Sequence, residues 1–88
     1  MPTVSMFYGI IVRMYFAPHE HPPPHFHAYY AEHKGIVDIR TCEVVEGNLP
    51  TRQVRLVQAW AELHREELLA DWQLVMNGEK PFPIQPLQ

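Results

Sequence analysis

The sequence predicts an α+β fold: a small antiparallel β-meander of three to four strands, packed on one face by a long C-terminal helix or two consecutive helices. Two observations predict it. Residues 6–16 are rich in β-branched and aromatic residues, and apolar and polar residues alternate over much of residues 25–40, as in half-buried strands. After Pro50 the apolar residues recur every three or four positions, which is the period of an amphipathic helix. With 88 residues, the chain is expected to form a single domain over residues 1–88.

The first predicted strand covers residues 6–16, a stretch rich in β-branched and aromatic residues. Its even-numbered residues, from Met6 to Phe16, are expected to face the core because side chains on a strand alternate between two faces. Residues 17–24 follow and are rich in histidine and proline. Three consecutive prolines have no amide donors, so this segment predicts a stiff surface loop.

Two further strands are predicted at residues 25–31 and 35–40, with a tight turn at His33-Lys34 and Gly35 available for a positive φ. This register makes three pairs: Ala31 with Ile36, Tyr29 with Asp38, and His27 with Arg40. The core face then carries Phe26, Ala28, Tyr30, Val37 and Ile39. The opposite face carries His25, His27, Tyr29, Asp38 and Arg40. Residues 43–46 add a short further strand.

Residues 50–77 form the predicted helical segment, either as one helix or as two with a break near His64. The apolar stripe consists of Val54, Val57, Ala61, His64, Leu68, Trp72 and Val75, widened by Leu56, Trp60 and Leu63. Pro50 suits a first helical turn, and Asn77-Gly78 is a stop signal. The tail at residues 78–88 has three prolines and is expected to be extended. Its apolar residues are expected to pack on the domain, with docking on another chain as the alternative.

Composition excludes several classes of protein. An apolar fraction of 47% and a charged fraction of 19% exclude a disordered linker. No apolar run reaches the roughly 18 residues of a membrane span, so we expect no contact with a membrane. Seven Lys and Arg against ten Asp and Glu give a net charge of −3, which does not favour nucleic-acid binding. The single cysteine excludes an internal disulfide, and the first residues lack a signal-peptide pattern, so a cytoplasmic protein is expected.

Five of the six histidines lie between residues 19 and 33, and this cluster is the strongest functional signal. His25 and His27 are two apart on a predicted strand and project from one face, with backbones roughly 6–7 Å apart. One interpretation is a metal site in which His25, His27 and His21 bind a divalent ion. Histidine nitrogens suit zinc and other transition metals, although the sequence requires no cofactor. His19 and Asp38 are alternative third ligands.

Two other interpretations of the cluster stay open. His25 and His27 could be a general acid and base acting on RNA or a nucleotide, because imidazoles titrate near neutral pH. The surrounding polar residues would then bind the substrate: Arg13 and Arg40 the phosphate, with Tyr29 and Asp38 beside them. The third interpretation is a set of surface histidines without chemistry. An enzyme and a binding protein are therefore both compatible with the residues.

Three stretches resemble a bacterial family catalogued as domain of unknown function 4160. They are Pro2–Phe16, the run Pro23-Pro-His-Phe-His-Ala28 and the helix Trp60–Trp72. The resemblance implies a small stand-alone protein, often encoded beside a protein of the domain of unknown function 2442 family in a proposed toxin–antitoxin pair. It brings no catalytic assignment. The favoured hypothesis is therefore a component of such a two-gene module that binds a small protein partner near His25, His27 and Arg40. A metal-binding module, a non-catalytic interaction domain and a homo-oligomer are the alternatives.

Overall fold

The computed structural model of the chain describes residues 2–88 and confirms the α+β fold class. The strands are β1 (Thr3–Phe7), β2 (Ile10–Arg13), β3 (His25–Tyr30), β4 (His33–Asp38) and β5 (Glu43–Gly47). The helices are α1 (Thr51–Leu63) and α2 (Arg65–Met76). The strands form one antiparallel sheet in chain order, which is a meander.

The core lies between one face of the sheet and the two helices. Trp60 of α1 is fully buried and contacts two sheet residues, with ring centroids 5.2 Å from Phe7 and 5.7 Å from Phe26. Other fully buried residues come from both layers: Ile10, Val12, Ala28, Val37, Ile39, Val57, Ala61, Leu68 and Val75. Burying each large apolar side chain stabilises the fold by about 1.5–3 kcal/mol, so this layer holds the sheet and helices together.

The segment predicted as one strand over residues 6–16 is a hairpin, which is why the sheet has five strands. Tyr8 and Gly9 both have positive φ, 49° and 80°, as a two-residue hairpin turn requires. Phe7 and Ile10 pair across this two-residue turn and both face the core, so the alternation changes there and Met6 faces solvent. Met6 is 62% and Tyr8 57% exposed, and their predicted core positions are wrong. Beyond the turn the prediction is confirmed, because Ile10 is buried.

The register predicted for the β3–β4 hairpin is also wrong. The turn lies at Ala31-Glu32 rather than at His33-Lys34, and His27 pairs with Ile36 rather than with Arg40. This is a displacement of four residues. Because the displacement is even, each side chain stays on its predicted face, and Phe26, Ala28, Val37 and Ile39 are buried as expected.

Residues 51–76 form two helices that meet at His64, whose φ of −121° and ψ of 24° are not helical. The His64 amide donates to Trp60 O at the end of α1, and its carbonyl accepts the Leu68 amide at the start of α2. Glu66 and Glu67 lie in the first turn of α2, where carboxylates interact favourably with the helix dipole. Leu63 is 70% exposed, so its predicted place on the apolar stripe is wrong.

The tail after α2 is hydrogen-bonded to β1 and to α1. The Ile84 amide donates to Val4 O at 2.7 Å, and Trp60 Nε1 donates to Gln85 O at 2.8 Å. Ile84 is buried, whereas Phe82 is 71% exposed. Neither helix of residues 2–88 combines the length and hydropathy needed to cross a lipid bilayer.

Candidate metal centre

The sheet face opposite the core carries the polar residues in cross-strand rows. One row runs from Arg13 on β2 through His27 and Ile36 to Glu46 on β5. In the neighbouring row, Tyr29 lies opposite Lys34. Directly opposed residues on antiparallel strands have Cβ atoms about 4.5–5.5 Å apart, so Arg13 is a close neighbour of His27.

The histidine- and proline-rich loop folds back so that Glu20 lies against both histidines of β3. Glu20 Oε2 is 3.0 Å from His25 Nε2, and Glu20 Oε1 is 2.5 Å from His27 Nε2. The three side chains are largely buried, with exposed fractions of 13%, 14% and 19% in chain order. One carboxylate therefore contacts two imidazoles in a partly desolvated position.

The contact that Nδ1 of His25 makes shows which of the two ring nitrogens carries a hydrogen. His25 Nδ1 is 2.9 Å from Pro23 O, and a carbonyl oxygen only accepts, so Nδ1 carries a hydrogen. In a neutral ring, Nε2 then turns its lone pair toward the Glu20 carboxylate. Two lone pairs at this distance repel unless a proton or a metal cation lies between them. Metal-binding histidines commonly donate their other ring hydrogen to a carbonyl in the same way.

The three side chains form a donor set that fits a metal ion. Their ligand atoms all lie within 4.8 Å of one another. Two imidazoles and one carboxylate are the ligands of many catalytic zinc sites and of non-haem iron sites. Tetrahedral ligands about 2.0–2.1 Å from zinc are about 3.3 Å from each other. The observed nitrogen–oxygen separations of 3.0 and 2.5 Å each lie within an ångström of that ligand–ligand spacing.

The structure brings together His25 and His27, as the sequence predicts, but not the predicted third ligand. His21 is exposed in the loop and is not among the clustered ligand atoms of residues 2–88. Glu20, which the sequence analysis missed, lies beside the two histidines instead. The available signal was that Glu20 is the only acidic residue in the loop at residues 17–24.

Asp38 and Arg40, which were expected opposite Tyr29 and His27, pair with each other. Arg40 Nη2 donates to Asp38 Oδ2 at 2.9 Å, and the Arg40 amide donates to Asp38 Oδ1 at 2.8 Å. The hydrogen bonds from the Arg40 side chain hold the pKa of Asp38 below its usual value. Asp38 lies opposite His25 in the register, so this ion pair borders the cluster.

Tyr29 and Arg13 lie on the other side of His27. The Arg13 guanidinium carbon is 5.5 Å from the centre of the Tyr29 ring. The hydroxyls of Tyr29 and Tyr15 are 2.5 Å apart. Burial, together with this hydrogen bond, raises the pKa of Tyr29 to about 12. The Tyr15 ring also meets His27 edge-on at 4.7 Å, so aromatic packing fixes the orientation of His27.

Comparison with known proteins matches the sequence to one family. A family model described as domain of unknown function (DUF4160) matches residues 9–73 of the 88-residue chain. The matched range contains all three members of the cluster, Glu20, His25 and His27. No curated protein and no solved structure matches the chain.

Proposed function

The chain belongs to the DUF4160 family, and we propose that it is a metal-binding member. In this proposal, Glu20, His25 and His27 hold one divalent transition-metal ion. Zinc is the first candidate because it accepts two imidazoles and a carboxylate. The observation that supports this most directly is the His25 ring, whose Nδ1 is committed to Pro23 O while Nε2 faces a carboxylate. A metal ion, like a proton on Nε2, removes the repulsion that a neutral ring would feel.

A metal site with three protein ligands can also catalyse a reaction. Three protein ligands leave one coordination position of zinc for water or substrate, and zinc lowers the pKa of a bound water to about 7. The cluster lies at the sheet surface with exposed fractions of 13–19%, so an open position could be reached from solvent. The proposed site therefore suits metal-assisted hydrolysis as well as metal binding alone.

Acid–base chemistry by His25 and His27 has less support from this arrangement. A general acid or base must turn a ring nitrogen toward the substrate. Both nitrogens of His25 already have partners, and Nε2 of His27 faces Glu20. RNA or nucleotide cleavage by a metal-free histidine pair would first have to release Glu20 from both rings.

Metal analysis of the full chain, purified without a polyhistidine tag and then titrated with zinc, tests this proposal. We expect one zinc per chain, a higher melting temperature with zinc, and loss of binding in His25→Ala and His27→Ala. Glu20→Gln should weaken binding at least tenfold because the amide replaces a charged ligand. His21→Ala is the matched control and should bind like the parent chain. Absence of zinc binding at micromolar concentration, or equal loss in His21→Ala, would contradict the proposal.

We also propose a small protein partner of the domain of unknown function 2442 type for this chain, within the two-gene toxin–antitoxin setting that the family resemblance implies. One structural observation favours a partner surface. Met6 and Tyr8 at the β1–β2 turn are both large and more than half exposed. Two large apolar side chains at one exposed turn offer a small contact surface, and contiguous exposed apolar surface is what marks interaction sites. Co-purification with that partner tests the proposal.

A further inference from the structure

A groove of about 370 Å³ lies on the polar sheet face and shares His27 with the metal cluster. We propose that the groove binds a phosphate monoester that also carries a flat aromatic ring, of nucleoside-monophosphate size, with its phosphate near the metal. This inference rests on the proposed metal site. The volume falls within the range of about 300–1,000 Å³ that is typical of small-molecule sites. The groove is lined by Tyr15, His27 and Tyr29 on one side and by Lys34, Ile36 and Glu46 on the other.

The charges around the groove favour an anion. Lys34 lines it, and Arg13 lies beside it, opposite His27 and over the Tyr29 ring. Neither cation forms an ion pair with a carboxylate anywhere in residues 2–88. Glu46 is the one acidic residue among those that line the groove, and a divalent ion would more than neutralise Glu20, which contacts His27 outside it. The metal-loaded groove is thus positive on a chain whose net charge is −3.

The aromatic wall favours a ligand with a flat ring. The rings of His27 and Tyr29 are nearly parallel, at 11°, with centroids 6.4 Å apart. Tyr15 meets His27 edge-on, and its hydroxyl is bonded to that of Tyr29. In this pair one hydroxyl donates to the other, so the second keeps its hydrogen for a ligand oxygen. Stacking of a base on aromatic rings is worth about 1–3 kcal/mol, a useful addition to the phosphate contacts.

Calorimetric titration of the zinc-loaded full chain with adenosine monophosphate tests the inference, with adenosine and inorganic phosphate as separate probes. We expect the monophosphate to bind at least tenfold more tightly than either fragment. Lys34→Gln should weaken its binding roughly fivefold to tenfold, because it removes an unpaired cation from the groove. Lys80→Gln is the matched control, since Lys80 is exposed in the tail, and should change affinity less than twofold.

Three outcomes would overturn the inference. The first is no binding of the monophosphate at millimolar concentration, and the second is an equal affinity for one of its fragments. The third is an equal effect of Lys34→Gln and Lys80→Gln. Zinc content is measured in the same samples, so the two proposals fail separately. Bound zinc without nucleotide binding contradicts the groove alone, whereas absence of zinc binding contradicts the metal site.

Discussion

The buried carboxyl group of Asp71 predicts how the stability of the fold changes with pH. The residue lies on α2 and is 2% exposed. Its Oδ1 accepts the Phe82 amide of the tail at 2.9 Å, while its Oδ2 is buried without a partner. Burial raises the pKa of Asp71 above its usual value. At neutral pH the fold must therefore tolerate a carboxylate whose ionised form is poorly solvated.

The raised pKa means that folded Asp71 holds a proton at pH values where the unfolded chain has lost it. The stability that Asp71 contributes is therefore fully present below its pKa in the unfolded chain, about 3.9. It is lost as the pH rises through the higher pKa of Asp71 in the folded chain. Asp71→Asn cannot ionise, yet it keeps an oxygen for the Phe82 amide. A buried unsatisfied polar group costs about 1–3 kcal/mol, and the NH2 group of the new asparagine retains part of that cost. We expect the variant to be about 1–2 kcal/mol more stable at neutral pH.

Urea denaturation of both chains between about pH 4 and pH 7.5 measures this effect. For a domain of this size each kcal/mol shifts the melting temperature by about 4–8 °C, so thermal melts should show it too. The difference between the chains should shrink toward the acid end. Glu79→Gln removes the same charge from an exposed position and should leave the pH dependence unchanged. A variant less stable than the parent at neutral pH, or a difference independent of pH, would refute the reasoning.

Two further predictions concern the β4–β5 pairing and the β1–β2 turn. Gly47→Ala should cost more than about 3 kcal/mol in urea denaturation, because Gly47 has a φ of 117° and an added Cβ would overlap Lys34 O. Gly78→Ala, with a φ of 76° and open space around it, should cost about 1 kcal/mol, and equal losses would contradict the steric argument. A Met6→Ser, Tyr8→Ser double variant should bind the proposed partner at least tenfold more weakly with unchanged zinc content. Unchanged co-purification would remove that surface from the proposal.

Side-chain periodicity predicted the faces of β3 and β4 more reliably than their pairing. Phe26 and Val37 are buried, and His27 lies on the polar face, although the predicted turn was misplaced. The core selects a face, and any even displacement of the register satisfies that choice. The actual register depends on where the turn forms. It lies at Ala31-Glu32, with Ala31 at a φ of 51°, which alanine rarely adopts and no sequence pattern signals.

The β1–β2 hairpin was missed for a related reason. Residues 6–16 form a largely apolar run, and Gly9 and Arg13 are its only interruptions. Tyr8 shares the turn with Gly9 and has a positive φ, which is unusual for a bulky residue. A turn that places a bulky residue in this region of φ is not visible in local preferences.

The candidate site depends on a contact that periodicity cannot provide. His25 and His27 follow from strand geometry, but Glu20 lies in a loop whose path is set by its attachments. The proline run supplies acceptors and no amide donors, so donors from elsewhere must hold it. Pro24 O accepts the Ile39 amide at 3.0 Å, and Pro23 O accepts His25 Nδ1.

These two hydrogen bonds hold the stiff proline loop beside the histidine cluster. The bond to Pro23 O fixes the orientation of the His25 ring and leaves Nε2 directed at Glu20. Because prolines restrict the backbone, the chain between Glu20 and His25 loses less conformational entropy when the ligands are brought together. A loop of flexible residues would offer the same ligands but would bind an ion more weakly. The three prolines are therefore part of the proposed metal site, although none of them contributes a ligand.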